Sequence, residues 1–195
     1  MAAPGSPPTP EIRLAQPGDA AFIVSLTARF AGADAPAWHD PARLAIFFER
    51  GIGEIAEAVA EDRLPPAETI LIASVAGRPV GFIHLRPETS GLTLEPQGYI
   101  NALATTAEAE GQGIGRALLA AGEGWARRRG FRMLALETFG GNRHARDFYA
   151  RRLRGRNAEI DQAALIRNRA DRARAGVAPR EHRSHCVAQR SSRMR

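Results

Sequence analysis

The sequence contains no lysine: all 27 basic residues are arginine, a skew that suggests a GC-rich coding sequence. A nucleotide-binding P-loop ends in Gly-Lys-Ser/Thr, so that site is excluded. Cysteine is nearly absent as well. Cys186 is the single one; it can make neither an internal disulfide nor a metal cluster, and a reducing, cytoplasmic setting is expected, with no metal. No apolar run approaches the ~18 residues of a membrane span, so no membrane partner is expected. The opening MAAPGSPPTP has neither a basic start nor an apolar stretch, and no signal peptide is expected.

A formal net charge of +6 points toward nucleic acid until it is divided along the chain. After Arg151 there are twelve arginines against four acids, whereas the first 151 residues hold fifteen arginines and seventeen acids. The body is slightly acidic and the basicity belongs to the tail. A phosphate-binding surface needs clustered cations on the folded part, so no nucleic acid is expected as a partner. The length and the 44% hydrophobic content suit one domain with a core of ordinary size. That domain is placed at residues 11–151. Residues 1–10 read as a disordered N-terminus and residues 152–195 as an arginine-rich tail.

Periodicity supplies the elements. Residues 11–14 can form a strand, and Pro17-Gly18-Asp19 a turn with Asp19 as N-cap. Phe22, Ile23, Leu26 and Phe30 recur at helical spacing. Asp40-Pro41 reads as N-cap plus first-turn proline of a second helix, with Leu44, Phe47 and Phe48 inward. Residues 54–60 form a third, short helical stretch. Two β-type runs, 69–75 and 80–85, are joined by Ala76-Gly77-Arg78-Pro79. A loop over 87–98 leads to a strand at 99–105, a helix at 113–129 with Ile114, Leu118, Ala121 and Trp125 on one face, a strand at 131–138 and a helix at 142–151. This order predicts an α/β or α+β domain with a mixed sheet.

The informative segment is a strand, then Glu110-Gly111-Gln112-Gly113-Ile114-Gly115, then an amphipathic helix. A glycine turn opening a helix offers free backbone N–H groups and the positive end of the helix dipole, a ready site for a diphosphate. The same glycines can also serve merely as a tight strand-to-helix connection. The dinucleotide fingerprint G-x-G-x-x-G is excluded, because its third glycine falls on Arg116.

The stretch GYINALATTAEAEGQGIGRALLAAGEGWARRRGFRMLALETFGGNRHARDFY resembles the acetyl-CoA-binding core of the GNAT acetyltransferase superfamily. That family carries [Q/R]-x-x-G-x-[G/A] at a helix start and, beyond a strand, N-x-x-A-x-x-[F/Y]-Y on the next helix. The first motif maps onto Glu110, Gly113 and Gly115, the second onto Asn142, Ala145, Phe148 and Tyr149. The resemblance implies a GNAT-like fold, a central mixed β-sheet flanked by helices, and acetyl-CoA as co-substrate. It implies that backbone groups of Leu103, Ala104 and Thr105 pair with the pantetheine arm as an added strand does, one strand N–H polarising the thioester carbonyl. Amides of Gly111, Gln112, Gly113, Ile114, Gly115 and Arg116 would hold the diphosphate. Asn142 would bond the cofactor, with Ala145 and Phe148 beside it, and Tyr149 would be the general acid protonating the departing thiolate. Tyr149 as a half-buried core aromatic is the alternative.

The implied activity is N-acetylation by direct attack of a primary amine, on a small molecule or a peptide, in a ternary complex; a homodimer is left open. A catalytically silent acyl-CoA-binding module, sensing or scaffolding, is the alternative, and an arginine-rich nucleic-acid binder rests on the tail alone. Two positions depart from the family. Glu110 replaces Arg or Gln beside a diphosphate, and Asn101 stands where relatives often carry an acid. Glu137, Glu95, Glu88 and His84 remain as candidate bases, and none is assigned. The resemblance stops after Arg151, where relatives read Gly-Phe and two closing strands. Shifted by one base, codons allowed for residues 152–166 can read GFVAETLRLTRRL and a stop. The tail therefore reads as disordered or frameshift-derived, with the C-terminal strands missing or disrupted and the edge of the 131–138 strand unpaired.

Overall fold

The computed structural model describes residues 9–30, 35, 39–91, 93–153 and 160–161. All of them belong to one compact unit, Met1–Gln162. The expectations for residues 1–8 and for the tail beyond residue 161 fall outside the described residues.

Two antiparallel hairpins begin the sheet. β1 (Glu11–Leu14) pairs with β2 (Thr69–Val75), β2 with β3 (Arg78–Thr89), and β3 with β4 (Pro96–Thr105). The β2–β3 turn is only Ala76-Gly77, with φ of 49° and 76°. That left-handed pair matches the strand twist of a two-residue hairpin, so the four-residue link shortens to two. β5 (Leu134–Glu137) then lies parallel to β4. β6 (Ile160–Asp161) lies parallel to β5, giving the order β1-β2-β3-β4-β5-β6. Leu136 and Glu137 are thus paired with Ile160 and Asp161, which corrects the expectation of an unpaired β5 edge over those two residues.

Helices cover both faces. α1 (Ala20–Ser25) and α2 (Pro41–Ala60) pack Ile23, Ile52, Ile55, Ala56 and Val59 against Ile70, Ile72, Phe82, Ala102 and Ala104. α3 (Ile114–Arg128) packs Ile114, Leu118, Leu119 and Trp125 against Ile83, Leu85, Ile100, Leu134 and Leu136 on the other face. α4 (Arg143–Leu153) joins that second cluster through Tyr149. The approach of α3 to β3 depends on Gly122, where an added Cβ would come within 3.2 Å of Ile83 and Leu85.

Several expectations change. The second and third helical stretches are one 20-residue helix, α2, running through Gly51 and Gly53. Each glycine costs about 1 kcal/mol of helix propensity. The sheet-facing Ile52, Ile55, Ala56 and Val59, spaced i, i+3, i+4, i+7, outweigh it by burial. Asp40 caps α2 as expected, accepting from Ala42 N–H at 2.9 Å. Phe47 is not inward but 54% exposed. Asp19 does not cap α1 with its side chain; its carboxylate accepts from Arg13 at 2.7 and 2.8 Å and from Gln16 N–H. β3 and β4 consume half of the expected 87–98 loop, and β5 begins only at Leu134.

Candidate active site

The site begins with an asparagine in the middle of an apolar strand. In the β3–β4 ladder His84 pairs with Ala102 and Leu85 with Ile100, so Asn101 is the extra residue of a β-bulge. The bulge reverses the facing of the strand: Ile100 packs in the α3-side cluster, whereas Ala102, two residues on, packs in the α2-side cluster. It also marks where β4 leaves β5. The parallel pairing runs from Gly98↔Leu134 to Ile100↔Leu136 and stops, while the pairing with β3 continues to Gly81↔Thr105. Among the described residues, 101–105 have no ladder partner on the β5 side. Thr106 N–H donates to Val80 C=O at 2.9 Å, so by strand alternation Leu103 and Thr105 direct N–H and C=O into that seam and Ala104 directs its own toward β3.

The glycine turn sits at the entrance to α3. Gly111 and Gly113 have φ of 73° and 82°, and Gly113 is the N-cap. A Cβ at either would meet nothing within 4 Å. The left-handed backbone, not crowding, requires glycine there, and the space beside these amides is open to a ligand. The N–H groups of Ile114, Gly115 and Arg116 occupy the first helical turn and have no partner inside the helix. Gln112 departs from the expected set: its N–H donates to Ala109 C=O at 3.3 Å and its side chain to Glu108 C=O. Ile114 is a core residue by its side chain, so only its backbone can serve.

α4 closes over this turn. A Cβ on Gly115 would lie 3.5 Å from the Phe148 ring and 3.9 Å from Leu103, so β4, α3 and α4 meet where three of the expected residues stand. Phe148 packs edge-on against Tyr149, ring centroids 5.0 Å apart. Tyr149 is 7% exposed, and burial pushes its phenol pKa well up, keeping it protonated at neutral pH. Asn142 caps α4, Oδ1 accepting from Ala145 N–H at 2.9 Å. Its amide nitrogen is the group left for a ligand.

Charge around the site departs from expectation in two places. Glu110 is salt-bridged to Arg29, from the turn Thr27–Arg29 after α1, so its carboxylate stands beside the glycine turn already paired. On the α2 side of the seam, His84 is 4% exposed and touches Asn101 through Nδ1 at 3.1 Å and Glu68 through Nε2 at 2.7 Å. The hydrogen bond from His84 holds Glu68 below its ordinary carboxylate value, against desolvation that pushes it up. Of the other candidate bases, Glu137 and Glu95 are exposed. Glu88 is half-buried beside Arg86 and raised by desolvation. Beyond the seam, Phe48 and His39 lie 6.3 and 5.9 Å from Phe139, which follows β5. No cluster able to hold a metal ion exists among the described residues.

The model of the acetyltransferase (GNAT) family matches residues 33–155, a span that includes the seam, the glycine turn and α4. The chain belongs to the GNAT family. An N-acetyltransferase of Bacillus subtilis named YhfO is 36% identical over 95 residues, 48% of this chain and 64% of that protein. The PaiA N-acetyltransferase of Thermoplasma acidophilum, solved with coenzyme A, matches in fold at TM-score 0.59 and 15% identity, over 73% of this chain and 87% of its own. An aminoglycoside 6'-N-acetyltransferase of Acinetobacter baumannii matches at TM-score 0.53 and 12% identity, over 73% and 88%. The GNAT fold thus accounts for the mixed sheet and its flanking helices.

Sequence reading missed Arg29, Glu68 and the bulge. The bulge has a sequence signal, a strand-averse Asn inside GYINALAT. Arg29 and Glu68 have none: Glu68 meets His84 only through the β2–β3 register, and Arg29 meets Glu110 only where the turn after α1 comes up to the glycine turn.

Proposed function

We propose that the protein transfers an acetyl group from acetyl-CoA to a primary amine by direct attack in a ternary complex. The observation that carries this is the parting of β4 from β5 after Ile100, with the open glycine turn and Tyr149 on the same face. The residues fit the cofactor. Leu103 and Thr105 present unpaired strand groups to the pantetheine arm, and Gly111, Gly113, Ile114, Gly115 and Arg116 present amides to the diphosphate at a helix N-terminus. Bound there, acetyl-CoA supplies the activated acetyl group.

The chain's own contribution is placement and charge stabilisation. The N–H of Leu103 or Thr105 is the oxyanion donor for the thioester oxygen. Tyr149, kept neutral by burial, gives its proton to the leaving sulfur. Through solvent it regains the proton that the amine nitrogen sheds as the C–N bond forms and the C–S bond breaks, so amine plus thioester become amide plus thiol. Glu110 does not oppose the diphosphate, because Arg29 neutralises it. The aromatic side chains near Phe139 wall the acceptor end and favour an amine with an apolar body. The cytoplasm is the proposed setting, and no helix among the described residues is long and apolar enough to cross a membrane.

Calorimetry with acetyl-CoA, followed by thiol release with benzylamine, an aminoglycoside and an alanine-initiated peptide, tests the reading. Binding with turnover of at least one amine is expected. Binding without any turnover would favour the silent acyl-CoA module, for which Asn101 in place of an acid speaks.

A further inference from the structure

The α2 side of the seam carries a polar chain, buried at His84 and half-buried at its two ends, that neither the cofactor turn nor Tyr149 uses. Asn101 Nδ2 lies 3.1 Å from His84 Nδ1, and His84 Nε2 lies 2.7 Å from Glu68 Oε2. An amide nitrogen can only donate, so Nδ1 accepts and the ring proton sits on Nε2, donating to the Glu68 carboxylate. The chain therefore has one polarity, from Asn101 through His84 to Glu68. It is set in an apolar wall. His84 stands in register between Ile70 and Ala102, and α2 buries only Ile52, Ile55, Ala56 and Val59 on that face. Arg86 is the further charge acting on Glu68.

A buried imidazole with both nitrogens engaged is costly where a leucine would pack. What the cost achieves is a single orientation of the Asn101 amide. His84 engages the nitrogen, which leaves the carbonyl oxygen Oδ1 for a ligand; among the described residues no donor is bonded to it. The bulge puts this group where β4 and β5 part, next to the seam-facing amides of Leu103 and Thr105.

We propose, on the footing of the acetyltransferase reading, that Asn101 receives the acceptor amine and that His84 and Glu68 are positioning residues that aim it. Oδ1 accepts one N–H of the incoming amine, which keeps its lone pair free for the thioester carbon. A carboxylate at position 101 would favour the charged ammonium. An amide carbonyl lacks that bias, so the acceptor class is a primary amine bound in its neutral form, and amines of lower basicity are preferred.

Two measurements on the full-length protein test this. Long-range nitrogen–proton NMR of the CoA-loaded protein reads the His84 tautomer without turnover; a proton on Nε2 and a bare Nδ1 are expected. Kinetics with benzylamine at saturating acetyl-CoA then separate positioning from packing. Asn101→Ala is expected to raise the benzylamine KM at least about tenfold while acetyl-CoA affinity stays unchanged. His84→Gln, which removes the ring acceptor, is expected to do the same in the wild-type background and to add nothing in the Asn101→Ala background. A proton on Nδ1, an unchanged benzylamine KM in Asn101→Ala, or additive losses in the double variant would overturn the proposal. Failure to bind acetyl-CoA at all would instead sink the acetyltransferase reading, and this one with it.

Discussion

The two faces of the sheet are built differently. On the α3–α4 face the groups offered to a ligand are backbone: the seam edge of Leu103 and Thr105 and the amides of Gly111 and of Gly113 to Arg116. On the α1–α2 face they are side chains, with Asn101, His84 and Glu68 in line and aromatic rings beyond. Backbone sites need only a turn geometry and an unpaired edge, so many side-chain sequences can supply them. Side-chain sites are particular to each chain. Under the proposed function the first face recognises the cofactor and the second the acceptor, and substitutions can separate them.

The largest effect is expected at Tyr149, on the α3–α4 face. Tyr149→Phe should keep acetyl-CoA affinity and lower turnover by about ten- to a hundredfold; full activity would reduce Tyr149 to packing. Next is Gly113→Asp, which forces a side chain into φ 82° and sets a negative charge at the diphosphate. A loss of about 2 kcal/mol, roughly thirtyfold in acetyl-CoA affinity, is expected by calorimetry, with no change on the acceptor side.

Smaller is the Arg29–Glu110 pair, which ties the α1 region to the cofactor turn. Its partners are 39% and 43% exposed, so the pair itself contributes little to stability. Its effect should appear in binding: Arg29→Ala should weaken acetyl-CoA about three- to fivefold by unmasking Glu110, and Glu110→Gln should abolish that loss. Pantetheine, which lacks the diphosphate, should be insensitive to both. Equal losses with pantetheine would mean that Arg29 acts through the fold.

The smallest effect concerns stability on the α1 side. The hydrogen bond from Arg13 lowers the Asp19 pKa from its ordinary 3.8. A depressed carboxylate stabilises the native state above its unfolded pKa, and that contribution is lost as pH falls through the folded value. Thermal melts should therefore show Asp19→Asn costing about 1 kcal/mol at pH 7, the difference from wild type closing below about pH 4.

Much of the cofactor face was legible in the sequence, because its signals are local. Glycines at a helix entrance and an i, i+3, i+7 face on α4 are written in short windows. Even there the Gln112 amide turns back to Ala109 within the tight turn, a detail of backbone conformation that residue type does not carry. The acceptor face was mostly illegible. His84 meets Glu68 sixteen residues away and Asn101 seventeen away, and only strand register brings them together. Phe47 was read as inward because helical spacing marks a stripe but not how far along α2 the sheet extends. The expected break between the second and third helical stretches is absent because burial of Ile52, Ile55, Ala56 and Val59 carries α2 through Gly51 and Gly53.

The division of labour between the faces is tested most directly by hydrogen exchange with and without coenzyme A. Slowed exchange at the amides of Leu103, Thr105 and residues 113–116, with residues 52–59 of α2 and residues 68–72 unchanged, is the predicted result. Protection confined to the α1–α2 face, or none at the glycine turn despite binding, would contradict the account.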